Sequence, residues 1–388
     1  MKTELLYYTD CHIRQFSARV LDCVPGADGY RVTLDRTAFF PGGGGQAADT
    51  GTLNGVPVTG MEPGEDPVHL CSGPLNPGDT VTGVLDWLPR FTRMQQHTGE
   101  HILSGLVFAG YGYHNTGFHM NPERIQVDFD GVIPADRLQD LEDRVNEAVW
   151  KNLPVRCWTP GPRELEALSY RTKRALPWPV RIVEIPGYDR CACCGVHTAF
   201  TGECGPVKLW SAVPFRGGTR LEMACGRAAL AHLNAVYEAA RAVSRCLSVP
   251  VTDIGAGTET LSEQLAKARY RVRELELREL QAQADALRGL GDTVLFRAAM
   301  EPELLVALAD RTAESCGGTA AVFSGGGGRW RWCLIDRSKD LRPLVKRMQQ
   351  ALSARGGGKP GFQQGQLTAN RSEIEAFFRD NGQWTIGS

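Results

Sequence analysis

The spacing of apolar residues changes at Asp86, and this change limits the fold more than any other feature of the sequence. Before it, short segments such as RVTLDRTAFF, VPVTG and VTGVLDW are separated by glycine-containing turns, a pattern typical of β-strands. After it, Met94, His97 and His101 recur at helical spacing, with Asp86 as the expected N-cap. The sequence therefore predicts a β-rich, barrel-like domain over residues 1–85, followed by a domain that contains helices.

A chain of 388 residues exceeds what one hydrophobic core usually supports, so several domains are expected. Residues 86–225 are predicted to be α+β, with a helix at RLQDLEDRVNEAVWKN and a strand at PVRIVEIPG. Residues 292–388 alternate strand-like and helical segments and are predicted to form a separate α/β domain. The predicted fold class is therefore α+β and multidomain.

Residues 226–291 are predicted to form long helices that link these domains, the first starting near Leu221 and the second covering residues 261–290. Apolar residues alternate by four and three along the second helix, which is the pattern of a coiled-coil seam. Such a seam packs either on its own chain or on a second copy, and the latter would give a homodimer. The seam consists of Leu261, Leu265, Ala268, Val272 and Leu275.

Composition restricts the class of protein. The N-terminal MKTELLYYTDCHIR has polar residues where a signal peptide needs an apolar core, and no run of eighteen apolar residues occurs. Twelve cysteines in such a chain indicate a reducing compartment, so we expect a cytoplasmic protein. A formal net charge of -1 argues against nonspecific coating of nucleic acid, so any polyanion site must be local.

Two pairs of residues have the spacing of metal ligands. His97 and His101 stand four apart on the predicted helix, so both imidazoles project from one face. Cys193 and His197 are also four apart, in the turn RCACCGVHTAFTGECG. Three nitrogens and one thiolate suit zinc at a tetrahedral count. The spacing alone leaves Cys194 as an alternative to Cys193.

Two other interpretations of these residues remain open from the sequence. The cysteine cluster is also consistent with a buried thiol patch or a structural zinc knuckle built from Cys191, Cys194 and Cys204. The helix also fits the pattern H-x-x-E-H of inverzincin metallopeptidases, with Glu100 as the base. Such peptidases complete their site with a downstream carboxylate on a helix, whereas here the downstream candidates are a thiolate and an imidazole.

The segment DRTAFFPGGGGQAADTGTL is a candidate substrate site. Consecutive glycines allow positive φ angles and a close approach of backbone N–H groups to an oxygen-rich ligand. Gly43, Gly44, Gly45 and Asp49 are accordingly predicted to contact the substrate, and Gln46 places an amide beside them. A flexible surface turn is the alternative.

Taken together, the segments TAFFPGGGGQAADTG, DWLPRFTRMQQHTGEHIL and CCGVHTAFTGECG resemble the editing half of alanyl-tRNA synthetase and its freestanding relatives, the AlaX proteins in their long form. The third segment is similar to the family's C-G-G-T-H turn, with Cys194 and Val196 in place of Gly and Thr. RLEMACGRAAL and RGGGKPGFQQGQ extend the resemblance, the latter to the glycine-rich loop of a DHH-associated domain. No class II synthetase domain is expected.

The resemblance implies a trans-editing deacylase that hydrolyses seryl-tRNA, and also glycyl-tRNA, mischarged on the tRNA for alanine. It implies zinc held by His97, His101, Cys193 and His197. It also implies that Gln46 lies in the editing pocket and that Thr37 contacts the substrate side chain. The metallopeptidase that uses Glu100 is the alternative function.

The C-terminal domain is expected to bind the tRNA. Residues 329–359 carry nine basic residues against two acidic ones, a local basic patch on a neutral chain. Trp330 and Trp332 either stack on bases or pack into the core, and the alternating pattern favours the core. Within this patch the predicted tRNA contacts are Arg355, Gly356, Gly357, Gly358 and Lys359.

Overall fold

The computed structural model describes residues 2–172, 176 and 178–387. The chain divides into two compact units, Met1–Ala242 and Val243–Ser388. The fold is α+β, as predicted, and the two units are coarser than the four predicted domains, whose boundaries stay predictions. Among the described residues, no helix is both long and apolar enough to cross a membrane.

The first unit begins with a closed barrel. Its strands run in the order β2-β3-β7-β6-β5-β8. Strands β1 and β4 form a separate short parallel pair. Phe16, Ala18 and Val20 alternate with exposed residues along β2, so one face of the strand is buried in the barrel. The elements are β1 (Glu4–Leu5), α1 (Leu6–Thr9), β2 (Gln15–Gly26), β3 (Gly29–Leu34), β4 (Arg36–Thr37), β5 (Gly51–Leu53), β6 (Val56–Glu62), β7 (Val68–Cys71) and β8 (Thr80–Leu85).

A long helix and two sheets complete the unit. The first sheet has the order β14-β15-β10-β9 and packs its apolar face on α2 and α3, and the second has the order β11-β12-β13. Two short 3-10 turns, Ala135–Arg137 and Thr201–Cys204, connect elements in this region. The elements are α2 (Trp87–Tyr111), β9 (Asn115–Met120), β10 (Ile125–Phe129), α3 (Leu138–Trp150), β11 (Arg156–Trp158), α4 (Pro162–Ala167), β12 (Ile182–Ile185), β13 (Asp189–Ala192), β14 (Val207–Phe215), β15 (Gly218–Cys225) and α5 (Gly226–Leu247).

Helix α2 begins where the change of pattern predicts. Asp86 occupies the N-cap position, but its carboxylate accepts a hydrogen bond from Thr50 rather than capping the helix. The helix ends at Gly112, whose φ of 72° is the left-handed conformation that glycine adopts easily. Between these ends residues 94–107 are all buried, polar side chains included. Buried polar groups need partners, so this stretch is where a site is expected.

The predicted helix starting near Leu221 is wrong, because residues 218–225 form strand β15 and the helix begins at Gly226. Leu221 and Met223 are fully buried, whereas Arg220 and Glu222 beside them are partly exposed. This period of two matches a strand, and pairing with both β10 and β14 stabilises it.

The second unit is built on a six-stranded sheet with the order β19-β20-β18-β17-β16-β21. Strand β16 pairs in parallel with β17 and β21, and the other pairings are antiparallel. Trp330 and Trp332 are 9% and 0% exposed, which confirms the prediction that they pack into the core. The elements are α6 (Ile254–Asp285), β16 (Thr293–Arg297), α7 (Pro302–Cys316), β17 (Ala320–Gly326), β18 (Arg329–Ile335), α8 (Arg342–Leu352), β19 (Arg355–Lys359), β20 (Phe362–Thr368), α9 (Arg371–Asp380) and β21 (Thr385–Gly387), with a 3-10 turn at Val251–Asp253.

Candidate metal centre

Helix α2 places two imidazoles side by side. His97 and His101 are one turn apart, 2% and 3% exposed, with ring centroids separated by 5.2 Å. Phe118 of β9 stacks on the His97 ring at 5.3 Å. The helical spacing therefore presents both rings to one buried point, as the sequence predicts.

The loop after β13 brings the second pair of residues to the same point. The Arg181 guanidinium donates hydrogen bonds to the carbonyl oxygens of Cys193 (3.0 Å) and Gly195 (2.8 Å), which fixes the turn. The His197 ring lies 4.4 Å from that of His97. A Cβ on Gly195 would approach the His97 ring to 2.2 Å, so only glycine fits this part of the turn.

The four predicted ligands converge. The ligand atoms of His97, His101, Cys193 and His197 all lie within 4.8 Å of one another, and Cys193 Sγ is 3.4 Å from His97 Nε2. Cys194, the alternative that the spacing left open, is exposed and faces the glycine-rich loop instead. The structure thus favours Cys193 as the fourth member of the cluster.

Each imidazole has a hydrogen-bond partner at Nδ1. His97 Nδ1 is 2.9 Å from Gln46 Oε1, His101 Nδ1 is 2.9 Å from Asp189 Oδ2, and His197 Nδ1 is 3.3 Å from Thr98 Oγ1. The oxygens of Gln46 and Asp189 accept, so Nδ1 of His97 and Nδ1 of His101 each carry a proton. The Thr98 hydroxyl both donates and accepts, so this contact positions the His197 ring without setting its tautomer. Metal-binding histidines typically have such partners, which fix the ring and its tautomer.

One of these nitrogens has no conventional hydrogen bond to the described part of the chain. His197 Nε2 is buried and has no hydrogen-bond partner among the described residues. A buried polar atom without a partner is costly unless a ligand satisfies it. The three nitrogens and one sulfur therefore fit a zinc ion, which accepts this mixture of donors.

The charges within the cluster also suit a metal. Burial raises the pKa of the Cys193 thiol, but the neighbouring imidazoles of His97, His101 and His197 together outweigh this effect and hold the pKa well below its usual value. Burial also lowers the pKa of His197 well below that of a free imidazole. A thiolate and a neutral imidazole are the forms that bind metal ions.

Asp189 is a member of the site that sequence reasoning missed. Its carboxylate is buried, accepts a hydrogen bond from His101 and also binds Arg171, whose Nε and Nη2 lie 2.7 and 2.9 Å from the two carboxylate oxygens. Burial raises the pKa of Asp189, but the hydrogen bonds from His101 and Arg171 reverse this and lower it overall. A lone aspartate at the start of a strand gives no sequence signal of this role.

The glycine-rich loop lies against the cluster. Gly42, Gly43, Gly44 and Gly45 all have positive φ, and Gly43 exchanges two backbone hydrogen bonds with Gln46, at 2.9 and 3.0 Å. Gly44 and Gly45 line a cavity of about 490 Å³ that also borders the metal cluster, whereas Gly43 faces the Cys194 sulfur. A Cβ on Gly45 would lie 2.5 Å from the Phe118 ring, so glycine is required there.

Gln46 joins the loop to the metal cluster. Its Oε1 accepts hydrogen bonds from Val196 N (3.0 Å) and from His97 Nδ1 (2.9 Å). Its Nε2 is buried and has no hydrogen-bond partner among the described residues. The predicted residue therefore lies beside the proposed ligands and keeps an unused amide NH2 group, but it is not among the residues that line the cavity.

Asp49 and Thr37 lie elsewhere. Asp49 is 1% exposed, pairs with Arg90 and accepts a hydrogen bond from Phe40 N at 2.8 Å, so it anchors the base of the glycine-rich loop. The Thr37 hydroxyl is fully buried in the barrel and lies 2.8 Å from His69 Nε2. Neither residue lines the cavity, and the structure does not bring them to the metal cluster. Their predicted contacts with substrate stay predictions.

Glu100 borders the cavity but is not a member of the cluster. Its Oε1 accepts hydrogen bonds from Ser104 and from Asn115 Nδ2 (2.5 Å), and the residue is 4% exposed. Asn115, at the start of β9, is a further residue that the sequence did not single out. Only the pairing of β9 with β10 brings it under α2.

In the second unit, the predicted tRNA contacts form one strand. Arg355, Gly356, Gly357, Gly358 and Lys359 are all exposed and make up β19, the edge strand of the sheet. Arg355 also lines a cavity of about 640 Å³ together with Arg329 and Arg331. The structure therefore groups three of the basic residues around one concave surface.

Comparisons with known proteins find similar sequences that include part of this region. Residues 180–220, which include Cys193 and His197, match the family described as the threonyl and alanyl tRNA synthetase second additional domain. The chain is 33% identical over 220 residues to the alanyl-tRNA editing protein Aarsd1 of Danio rerio, covering 52% of this chain and 53% of that protein.

The similarity extends to two alanine–tRNA ligases. That of Korarchaeum cryptofilum is 32% identical over 309 residues, 74% of this chain and 34% of that protein. That of Pyrobaculum neutrophilum is 30% identical over 402 residues, 97% of this chain and 44% of that protein. The chain thus spans about half or less of the length of these relatives. It is an AlaX-like protein, related in sequence to alanyl-tRNA editing proteins and to alanine–tRNA ligases.

Proposed function

We propose that this protein is a trans-editing deacylase that hydrolyses the ester between serine and the tRNA for alanine, and also the corresponding glycyl ester. The observation that carries the proposal is the convergence of three imidazoles and one thiol at the wall of a cavity bordered by Gly44 and Gly45. The similarity to a protein named as an alanyl-tRNA editing protein supports the choice of ester and tRNA.

We propose zinc as the cofactor, held by His97, His101, Cys193 and His197. The unpartnered Nε2 of His197 and the three Nδ1 partners are what this assignment rests on. When bound, the ion supplies a positive charge that can polarise a carbonyl oxygen or organise the pocket. His101 is further fixed by Asp189, which Arg171 holds in turn.

Gln46 has two proposed roles. Its oxygen keeps the proton of His97 on Nδ1, because Oε1 is an acceptor for both His97 and Val196. Its buried Nε2 has no partner among the described residues and would donate a hydrogen bond to the ester carbonyl as negative charge develops there. Gly44 and Gly45 line the cavity, and their backbone N–H groups would orient the substrate there.

Selectivity needs an explanation at the site, because a synthetase pocket for alanine cannot strongly reject a side chain that adds only a hydroxyl. The resemblance to the editing family implies that Thr37 contacts the substrate side chain that carries this hydroxyl. In the structure the Thr37 hydroxyl donates to His69 from a fully buried position, so the geometry favours a positioning role beneath the glycine-rich loop. The two roles are separable by experiment.

We propose that the second unit binds the tRNA. Arg329, Arg331 and Arg355 surround one cavity, and Lys359 extends the exposed strand β19. Guanidinium groups bind phosphates well because their donors match the phosphate oxygens. Since tRNA is charged and edited in the cytoplasm, we expect the protein to act there.

We also propose a homodimer through the helical region. The apolar seam of α6 is exposed in the single chain: Leu261, Leu265, Val272 and Leu275 are 49–55% exposed. A spacing of four and three along an exposed helix face is the pattern of a coiled-coil interface. Measurement of molecular mass in solution tests this association.

The metallopeptidase remains the alternative. It would use Glu100 as a general base between His97 and His101, and Glu100 does border the cavity. However, the donors that converge with both histidines are a thiol and an imidazole, and the nearby carboxylate of Asp189 binds Nδ1 of His101 and the Arg171 guanidinium instead of joining them. The geometry therefore favours the esterase.

One experiment separates these functions. The purified protein is incubated with seryl-tRNA for alanine and, in parallel, with casein. An editing enzyme releases serine and leaves casein intact, and a zinc chelator abolishes the release. Cleavage of casein without release of serine would establish the peptidase, and no turnover of either would leave a noncatalytic RNA-binding protein.

A further inference from the structure

One wall of the cavity offers hydrogen-bond acceptors only. Glu100 and Asn115 both line it and are 4% and 5% exposed. Asn115 donates from Nδ2 to Glu100 Oε1, which fixes the orientation of the amide. Its Oδ1 is buried and has no hydrogen-bond partner among the described residues. An unsatisfied acceptor therefore lies beside a buried carboxylate at the edge of the cavity.

The carboxylate of Glu100 lacks a cation of its own. Its hydrogen-bond donors are neutral, from Ser104 and Asn115, and within the described part of the chain no cation lies in ion-pair contact with it, although the Arg171 charge acts on it from a longer distance. Arg171 borders the same cavity, but its guanidinium makes a two-point contact with Asp189. A buried carboxylate without a cation is costly. A bound cation that donates hydrogen bonds would remove this cost.

A protonated primary amine meets these requirements. It carries three N–H donors and one positive charge and accepts no hydrogen bond, so it matches a carboxylate together with an amide oxygen. In an aminoacyl ester the α-ammonium group stands on the carbon next to the ester carbonyl. Glu100 directly precedes His101 on α2, so the acceptor wall and the proposed metal ligands border one cavity.

We propose that Glu100 and Asn115 bind the α-ammonium group of the aminoacyl ester, an inference that rests on the proposed function. This subsite makes a free amino group a requirement for hydrolysis. An ester whose nitrogen is acylated carries no charge there and fewer donors, so it leaves Glu100 unpaired. The enzyme would therefore act on aminoacyl-tRNA and spare N-acylated or peptidyl-tRNA.

The test compares seryl-tRNA for alanine with its N-acetyl derivative. The wild-type protein should hydrolyse the free-amine ester with a kcat/KM about tenfold to a hundredfold higher, the range expected for a charged hydrogen bond. In Glu100→Gln the ratio of the two kcat/KM values should fall toward one, because kcat/KM should decrease for the free-amine ester and stay unchanged for the N-acetyl ester. Ser104→Ala removes a neutral donor to the same carboxylate and should keep the ratio.

A second measurement does not depend on turnover. L-serinamide and L-glyceramide differ only by an amino group in place of a hydroxyl, so calorimetric titration of each reports the ammonium subsite directly. Wild type should bind L-serinamide at least about tenfold more tightly, and both Glu100→Gln and Asn115→Leu should lose this preference. Zinc content and circular dichroism of each variant confirm that metal and fold are retained.

The outcomes are distinct. Equal wild-type hydrolysis of both esters, or an equal loss on both in Glu100→Gln, overturns the subsite and leaves the deacylase intact. Hydrolysis of neither ester by wild type overturns the deacylase, and the L-serinamide preference then decides the subsite alone. If Glu100→Gln does not fold, Asn115→Leu and the wild-type preference between the two amides still decide it.

Discussion

The side-chain oxygen of Gln46 lies 2.9 Å from Nδ1 of His97, and through this contact the glycine-rich loop orients a metal-binding candidate on helix α2. The two residues are 51 positions apart in sequence. The loop is therefore more than a wall of the cavity, because it also determines which nitrogen of His97 faces the metal site.

Two substitutions at Gln46 separate its two roles. Gln46→Leu removes the acceptor, and loss of such a partner should weaken zinc binding about tenfold to a hundredfold. Gln46→Glu keeps an acceptor for His97 but lacks the N–H donor, so it should retain zinc while losing deacylation. Zinc competition with a chromogenic chelator and single-turnover deacylation measure the two effects. Full activity in Gln46→Glu would rule out the donor role.

Substitution of the proposed ligands should remove metal and activity together. Cys193→Ala and His101→Ala should each lose stoichiometric zinc and abolish deacylation, because each removes one of four donors that converge on one point. Cys194→Ala is the matched control, since this neighbouring cysteine is exposed and lies outside the cluster. Retained turnover in both ligand variants would contradict the metal assignment.

Thr37→Val tests whether Thr37 contacts the substrate or positions the loop. The variant leaves Nε2 of buried His69 without a donor, which should lower the free energy of unfolding by about 1–3 kcal/mol. Chemical denaturation measures this value, and deacylation of seryl-tRNA and alanyl-tRNA measures selectivity. A positioning role predicts reduced stability with unchanged selectivity, whereas unchanged stability with lost selectivity would establish direct contact.

His69 should make the barrel less stable in acid. Burial lowers the pKa of His69 to about 4, whereas an unfolded histidine has a pKa of about 6.5. The unfolded state therefore binds the proton first as the pH falls. The contribution of neutral His69 to the free energy of unfolding is fully present above pH 6.5 and is lost as the pH falls from 6.5 to 4. The loss is on the order of 3 kcal/mol.

Denaturation of wild type and His69→Gln at several pH values checks this expectation, because other groups titrate equally in both proteins. The difference in unfolding free energy between the two should shrink as the pH falls from about 6.5 to 4. A difference that is independent of pH would show that His69 does not titrate in this way.

Three arginines of the second unit should control tRNA affinity. Replacing Arg329, Arg331 and Arg355 with glutamine should weaken tRNA binding. The slope of the logarithm of the binding constant against the logarithm of the salt concentration should become shallower by about one for each lost phosphate contact. The turnover number at saturating tRNA should change little. Arg337 and Arg342 are suitable controls because each pairs with an aspartate. Equal loss of affinity in the controls would contradict a localised site.

The sequence predicts those site residues whose positions depend on spacing within one helix or strand, and it does not predict residues that only tertiary pairing brings to the site. Helical spacing is enough to place His97 beside His101, and the alternation in RVTLDRTAFF is enough to indicate the strand that forms β3. The partners of the ligands are different. Asp189 and Asn115 come from separate strands, and only tertiary pairing brings them to α2, so no spacing rule reveals them.

Two residues show how a tertiary contact limits what the sequence alone can predict. Asp49 follows the glycine-rich motif and is predicted to contact the substrate; in the structure it faces Arg90 in the interior, and the substrate contact stays a prediction. Leu221 opens a segment rich in helix-forming residues, yet pairing with β10 and β14 holds that segment as a strand. In both cases a tertiary contact outweighs the local preference.

The separation of the four converging residues along the chain has a consequence for folding. His97 and His197 are a hundred positions apart, so a metal bound by both closes a long loop of the polypeptide. Ligand geometry of this kind exists only in the folded chain, so the affinity for the ion adds to the conformational stability of the native state. Metal supply during synthesis would then govern how much of this protein reaches its native form.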